Sequence, residues 1–242
     1  MYIYGKNSVI EALDSGQVNI LLLAKGLNQQ SVNQLEKIAK KAKTPVKFVA
    51  RIELDQLLKT TKHQGVVAEL EDFEYSDQEA PFELAKEKNE QLLLVILDQI
   101  NDPRNYGAII RSAEALGAHG VVSEERRSAP LSATVIKVAA GAANHIPIVQ
   151  VKNLARYIDQ IKERNVWVYG AAGEAYNQAK DIDWDRDVAL VIGSEGSGMR
   201  RLIRDKCDDT IKIPLRGKID SLNASVAAGI LINEIVSKRE QK

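Results

Sequence analysis

The chain has 242 residues, 45% apolar and 27% charged, with 33 Lys plus Arg against 33 Asp plus Glu. These values exclude disorder as the default and exclude a uniformly basic nucleic-acid coat, while leaving local cationic clusters able to meet phosphate. No apolar run approaches the ~20 residues of a membrane helix, the opening MYIYGKNSVIEAL lacks the order of a secretion signal, and Cys207 is the sole cysteine, so a cytoplasmic protein without disulfides is expected.

Apolar periodicity predicts helices near 6–14, 30–42 and 52–60, alternating with strands at 18–24, 46–50 and 65–70. This α/β unit is taken as a first domain, residues 1–72. The acidic, polar stretch FEYSDQEAPFELAKEKNE at 73–90 follows and is expected to be a linker. Beyond it, residues 91–242 form a second domain. Strands are predicted there at 92–97, 120–122, 146–151, 166–169, 188–192 and 210–215, with helices near 105–116, 131–142, 153–164, 198–206 and 224–238. Near-continuous apolar strands alternating with helices imply a parallel sheet covered on both faces, with ligands at the carboxyl ends of its strands.

Three segments fall at those ends. In LDQINDPRNYGAIIRSAEALGA, residues 97–118, Asp102-Pro103 and Asn105 carry helix-start chemistry, Ile109, Ala113 and Leu116 form a buried stripe, and Gly117 stops the helix. Arg111 is left unexplained by the stripe. Its guanidinium is either a clamp for phosphate or ribose or a surface group paired with Glu114.

In GSEGSGMRR, residues 193–201, the glycines run in the wrong order for a dinucleotide fingerprint, and Met199 and Arg200 stand where a phosphate loop needs lysine and a hydroxyl. Glu195 disfavours an anion and suits a cationic ligand. In IKIPLRGKIDSLNASVAAGILINEIV, Ser221 and Asn223 serve either as helix caps or as site residues. Small residues from Ala224 to Gly229 imply close packing on the last helix, and Pro214 and Gly217 imply a sharp turn before it.

Together NDPRNYGAIIRSAEALGA, LVIGSEGSGMRRL and IPLRGKIDSLNASVAAGI resemble the three ordered motifs of the SpoU family of RNA ribose 2′-O-methyltransferases, in the SPOUT class, over residues 92–238. YGKNSVIEAL with HQGVVAEL resembles the small L30e-like RNA-binding domain of the branch that modifies a guanosine of large-subunit ribosomal RNA. The resemblance implies a SPOUT-type parallel sheet with a C-terminal trefoil knot, a homodimer with its active site at the interface, and S-adenosylmethionine as methyl donor.

It also implies site residues. Gly193, Ile213 and Leu222 match the family's donor contacts, with Glu195, Gly196, Leu215 and Asn223 beside them. Asn105, Arg111, Glu195, Ser221 and Asn223 match its functional polar set. Two departures are Leu215-Arg216, where methionine and a small residue are usual, and Ala224, where valine is usual. Arg126, Arg127, Arg200, Arg201 and Arg216 are expected to track the RNA backbone, and the alternative is that such clusters are solvated faces. Single-stranded or bulged RNA is the expected target, because a ribose hydroxyl must enter a pocket. Transfer RNA is the rival substrate, and a non-catalytic RNA-binding protein of the same fold is the rival from another class. His63, His119 and His145 are scattered without a carboxylate cluster, so no metal is expected.

Overall fold

The computed structural model describes residues 2–14, 16, 18–70 and 74–241. They divide into two compact units, one ending at Glu74 and one beginning at Tyr75.

The first unit runs β1 (Tyr2–Tyr4), α1 (Lys6–Asp14), β2 (Val18–Ala24), α2 (Gln29–Lys41), β3 (Val46–Val49), α3 (Arg51–Leu58) and β4 (Val66–Leu70). Its sheet order is β1-β4-β2-β3, with β2 and β3 parallel and the other pairs antiparallel. Successive residues of β2 are buried on opposite faces of that sheet. Leu22 joins Val49, Leu54 and Val67 in one cluster, while Leu21 and Leu23 point to the other face and are fully buried. Asn28 starts α2 by accepting from the amides of Gln30 and Ser31.

In the second unit the elements are α4 (Ala80–Lys88), β5 (Leu93–Asp98), α5 (Pro103–Ala115), β6 (Gly120–Glu124), α6 (Ala133–Ala139), β7 (Ile148–Val151), α7 (Leu154–Lys162), β8 (Trp167–Ala171), β9 (Asn177–Gln178), β10 (Val188–Gly193), α8 (Arg201–Arg204), β11 (Asp209–Lys212) and α9 (Ala224–Glu240). Seven strands in the order β7-β6-β5-β10-β8-β11-β9 form one sheet, every pair parallel. The central strands β5 and β10 carry the core, with Leu93 through Leu97 fully inaccessible. This is the parallel α/β sheet that the apolar runs implied.

Residues 74–90 are not a free connector, contrary to the linker expectation; positions 71–73 lie outside the described residues. Ser76 donates its amide to Ile148, and the Tyr75 hydroxyl accepts from the Leu131 amide. Gly120 sits so close to Pro81 that a Cβ there would fall 2.7 Å from the proline ring. Arg164 lies 3.5 Å above the Phe82 ring and pairs with Glu79. The acidic composition belongs to the solvent face of α4.

The last helix is held at its far end by Arg239. Its guanidinium donates to the carbonyls of Trp184, Gln91, Leu92 and Arg186 at 2.7–3.1 Å, so α9 is stapled to the entry of β5 and the turn before β10.

Candidate functional site

The carboxyl ends of β8, β10 and β11 open onto a cavity of about 400 Å³. Its wall is built from the strand ends Ala171 and Ile192, the loops 172–174 and 193–199, and the segment after β11 containing Ile213, Leu215, Asp220, Ser221 and Leu222, with Ala224, Ala227 and Leu231 of α9 closing it. That volume lies in the range of small-molecule sites.

The loop after β10 owes its shape to its glycines. Ser194 and Gly198 exchange backbone hydrogen bonds at 3.0 and 3.1 Å, and Gly196 and Gly198 take φ values of +85° and +66°. Gly193 has a different reason to be glycine. A Cβ there would lie 2.3 Å from the Gly198 carbonyl carbon and the Met199 amide nitrogen, so the close neighbour is the chain's own returning backbone. Met199 in turn packs over Gly170, with Cys207 on the same spot. Burial pushes the Cys207 thiol up to about 12, so it stays protonated as packing material.

Beside the cavity three polar side chains close on one another. The Asn105 amide donates to Glu195 Oε1 at 2.8 Å, and the Asn223 amide donates to Asn105 Oδ1 at 3.0 Å and to the same Glu195 oxygen. Asn223 is also the N-cap of α9, its Oδ1 accepting from the amides of Ser225 at 2.9 Å and Val226 at 3.3 Å. Capping fixes which end of the amide is oxygen and therefore aims its NH2 group at Glu195. Asn105 is buried in the first turn of α5, which Asp102 caps by accepting from the Arg104 amide at 2.8 Å, with Pro103 in its first turn. Sequence segments up to 118 residues apart thus meet in one hydrogen-bonded triangle.

The structure therefore gathers Asn105, Glu195 and Asn223, and it puts Gly193, Glu195, Gly196, Ile213, Leu215, Ser221 and Leu222 on the cavity wall. Ser221 does not cap α9; that role is held by Asn223 alone. Ile213 and Leu215 lie past the end of β11 at Lys212, because Pro214 cannot extend a ladder. Arg111 is exposed on α5, does not line the cavity, and has no ion pair with Glu114 or hydrogen-bond partner among the described residues. It lies on the same side of the helix as Gly107, one turn earlier, where α6 approaches so closely that a Cβ would fall 2.5 Å from the Val135 carbonyl.

The arginines expected on RNA separate into classes. Arg126, Arg201 and Arg216 are exposed, and Arg127 is exposed with its Nε 3.5 Å from Glu124. Arg200 is a correction. Its side chain turns inward to the fully buried Asp98, with Nε 2.6 Å from Oδ1, and to Glu124, with Nη2 2.8 Å from Oε2. An arginine committed to two carboxylates and only 20% exposed is not free to track a phosphate backbone.

Sequence reasoning also missed Asp220, Glu174 and Arg204, all on the cavity wall, the last two joined as an ion pair. With its Glu174 backbone bond as the leading cause, the Glu174 carboxyl is held below the usual carboxylate range. The available signal was the small-residue run GAAGE, residues 170–174, which spans the carboxyl end of β8. Among the described residues no group of three or more His, Cys, Asp or Glu is placed to hold a metal, and no helix is long and apolar enough to cross a membrane.

Known proteins similar to this chain point to one family. The SpoU rRNA Methylase family profile matches residues 92–233, and the profile for RNA 2′-O ribose methyltransferase substrate binding matches residues 2–76. A Bacillus subtilis protein assigned to the TrmH family of tRNA/rRNA methyltransferases is 45% identical over 239 residues, 98% of this chain and 96% of that one. A Staphylococcus haemolyticus protein of the same assignment is 42% identical over 240 residues, 99% of this chain and 96% of that one. The crystal structure of the SpoU methyltransferase AviRb from Streptomyces viridochromogenes, in complex with AdoMet, aligns with a TM-score of 0.68 and 26% identity over 100% of this chain and 91% of that one. With sequence profile, full-length relatives and fold in agreement, the chain belongs to the SpoU methylase family.

Proposed function

We propose that this chain methylates the ribose 2′-oxygen of RNA, with a guanosine of large-subunit ribosomal RNA as its target, residues 1–72 binding that RNA and residues 91–242 performing the transfer. The methyl donor is S-adenosylmethionine, the AdoMet with which the related AviRb structure is in complex. The carrying observation is that Glu195 belongs both to the cavity wall and to the Asn105–Asn223 triangle, joining a ligand site to a fixed polar cluster.

The cavity fits this donor. Glu195 and Asp220 set carboxylates on a wall that also carries the Glu174–Arg204 ion pair, the hydroxyls of Ser194, Ser197 and Ser221, and apolar groups such as Ile192, Ile213 and Leu231, a mixed lining that suits a ligand with a cationic centre and a polar nucleoside. Gly196 has open space where a Cβ would stand, leaving its backbone bare. When bound, the donor supplies an electrophilic methyl on a positively charged sulfur.

The chain's own residues do the rest. Asn223, locked by its capping bonds, and Asn105, locked by burial, hold the Glu195 carboxylate in one orientation. Arg111 has donors but no acceptor, so its role is to grip an RNA phosphate or the developing oxyanion, with the hydroxyl proton leaving late or to that phosphate. Orientation inside a confined pocket supplies several kcal/mol of the barrier reduction.

Val226 and Ile230 stand one turn apart on α9 and are 48% and 39% exposed, with Leu222, 38% exposed, just before the helix. A second copy covering this stripe is the proposed homodimer, and Val226→Glu with Ile230→Glu should yield a monomer by light scattering. Tritiated methyl transfer to total ribosomal RNA and to transfer RNA tests the substrate. Label at a 2′-O-methylguanosine of large-subunit RNA is expected; label confined to transfer RNA redirects the assignment, and none in either removes it.

A further inference from the structure

Four facts about Arg200 stand together. Its backbone amide donates to Asp98 Oδ2 at 2.7 Å and its Nε to Asp98 Oδ1 at 2.6 Å. Asp98 is fully buried at the carboxyl end of β5, directly in register with Gly193 at the end of β10. Glu124, at the carboxyl end of β6, meets the other arm of the guanidinium at 2.8 Å, as a charge contact off the hydrogen-bond axis, and its other oxygen accepts from the Leu154 amide at 3.4 Å. Arg200 follows immediately on the loop 194–199, of which every residue lines the cavity, whereas Asp98, Glu124 and Arg200 do not line it.

That loop has two supports. At Gly193 it is continuous with the β10 ladder; at Arg200 it is moored to Asp98 through backbone and side chain at once. Between them the turn is closed by the mutual Ser194–Gly198 bonds, and its only large apolar side chain, Met199, is wedged over Gly170 of the opposite wall. A movement of Arg200 is therefore transmitted to Met199 and Gly198, and through their contact with Gly193 to the loop that carries Glu195. Asp98 supplies the hydrogen bonds, and Met199 the apolar contact, that fasten this end of the loop to the sheet.

We propose that Asp98, Arg200 and Glu124 are positioning residues for the donor loop, and that Arg200 serves donor binding and not RNA binding. The proposal rests on the donor being held in this cavity, and the wild-type chain checks that premise separately. Donor affinity by calorimetry, donor KM and kcat, RNA affinity against salt, and melting temperature are measured on the full chain and on Arg200→Lys, Asp98→Asn and the double variant Asp98→Asn with Arg200→Gln. Lysine keeps the charge and loses the fork; the double variant removes the Asp98–Arg200 pair together and leaves Glu124 with Arg127, 3.5 Å from its Oε2, as its remaining cation, so the melting temperature is read alongside donor affinity.

The expected result is a rise in donor Kd and KM of about tenfold to a hundredfold, the range for losing a hydrogen bond to a charged group, with kcat at saturating donor and RNA affinity unchanged. The double variant should weaken donor binding at least as much. A folded double variant with wild-type donor affinity overturns the proposal. So does Arg200→Lys with weaker RNA binding, a shallower salt slope and intact donor binding, or with a lower melting temperature and an unchanged donor KM. Failure of the wild-type chain to bind S-adenosylmethionine would instead defeat the reading of the cavity.

Discussion

Arg111 on α5 and Arg200 after β10 are alike in sequence, each an arginine inside a motif at a strand's carboxyl end. In the fold they are opposites. Arg200 is spent on Asp98 and Glu124, and the loop depends on it. Arg111 stands exposed, with no side-chain partner among the described residues. A long cationic side chain kept where it serves no internal contact is available to a ligand; one locked in a buried pair belongs to the architecture.

The sharpest way to break that contrast is Arg111→Ala. Turnover should fall by about 10²–10³, the range for deleting one donor to a developing oxyanion, while donor affinity and melting temperature stay near wild type. Equal loss of donor binding in calorimetry would place Arg111 with Arg200 after all.

Asn223 sits between the two extremes, since it both caps a helix and orients Glu195. Asn223→Ala should cost about 1–2 kcal/mol in urea unfolding, as lost caps do, together with activity. Asn223→Asp keeps a competent cap and turns a donor into a carboxylate facing Glu195, so methyl transfer should collapse with most of the stability retained. Full activity in the aspartate variant would mean that the triangle is only scaffolding.

Arg126, like Arg111, is exposed and without a partner among the described residues. Arg126→Gln should weaken RNA binding modestly and reduce the salt slope by about one, with donor affinity unchanged.

On the partnered side, His119 gives the smallest effect. It accepts from the Leu93 amide at 3.0 Å and bonds Glu90 at 3.0 Å, and burial lowers its pKa against the opposing pull of Glu90. The unfolded chain therefore binds the proton first, and stability should be full above the ordinary histidine value and decline as pH falls below it. Urea unfolding from pH 7 to pH 5 should show this slope flattened in His119→Gln.

How much of this was legible beforehand follows from particular elements. The strands at 18–24, 93–98 and 188–193 announced themselves as apolar runs, and α5 and α9 through Asp102-Pro103 and Asn223. Edge strands β1 and β9, of three and two residues, were invisible because pairing, not composition, makes them. Helix α4 hid behind its charged outer face. Resemblance to the family's three motifs brought Asn105, Glu195 and Asn223 into view, yet the inward turn of Arg200 was not visible, since adjacent arginines look alike until the fold decides which faces a buried carboxylate. The signal that could have found it was Asp98, a lone acid closing an entirely apolar strand.

The final helix is bolted at both tips, by Asn223 in the polar triangle and by Arg239 on the β5 entry. Since Ala224, Ala227 and Leu231 form part of the cavity wall, a ribosome-bound chain whose α9 has not emerged has strands and loops but no finished pocket. Under the proposed reading, capture of the donor waits until α9 has folded onto the sheet, and stalled nascent chains lacking α9 should retain none.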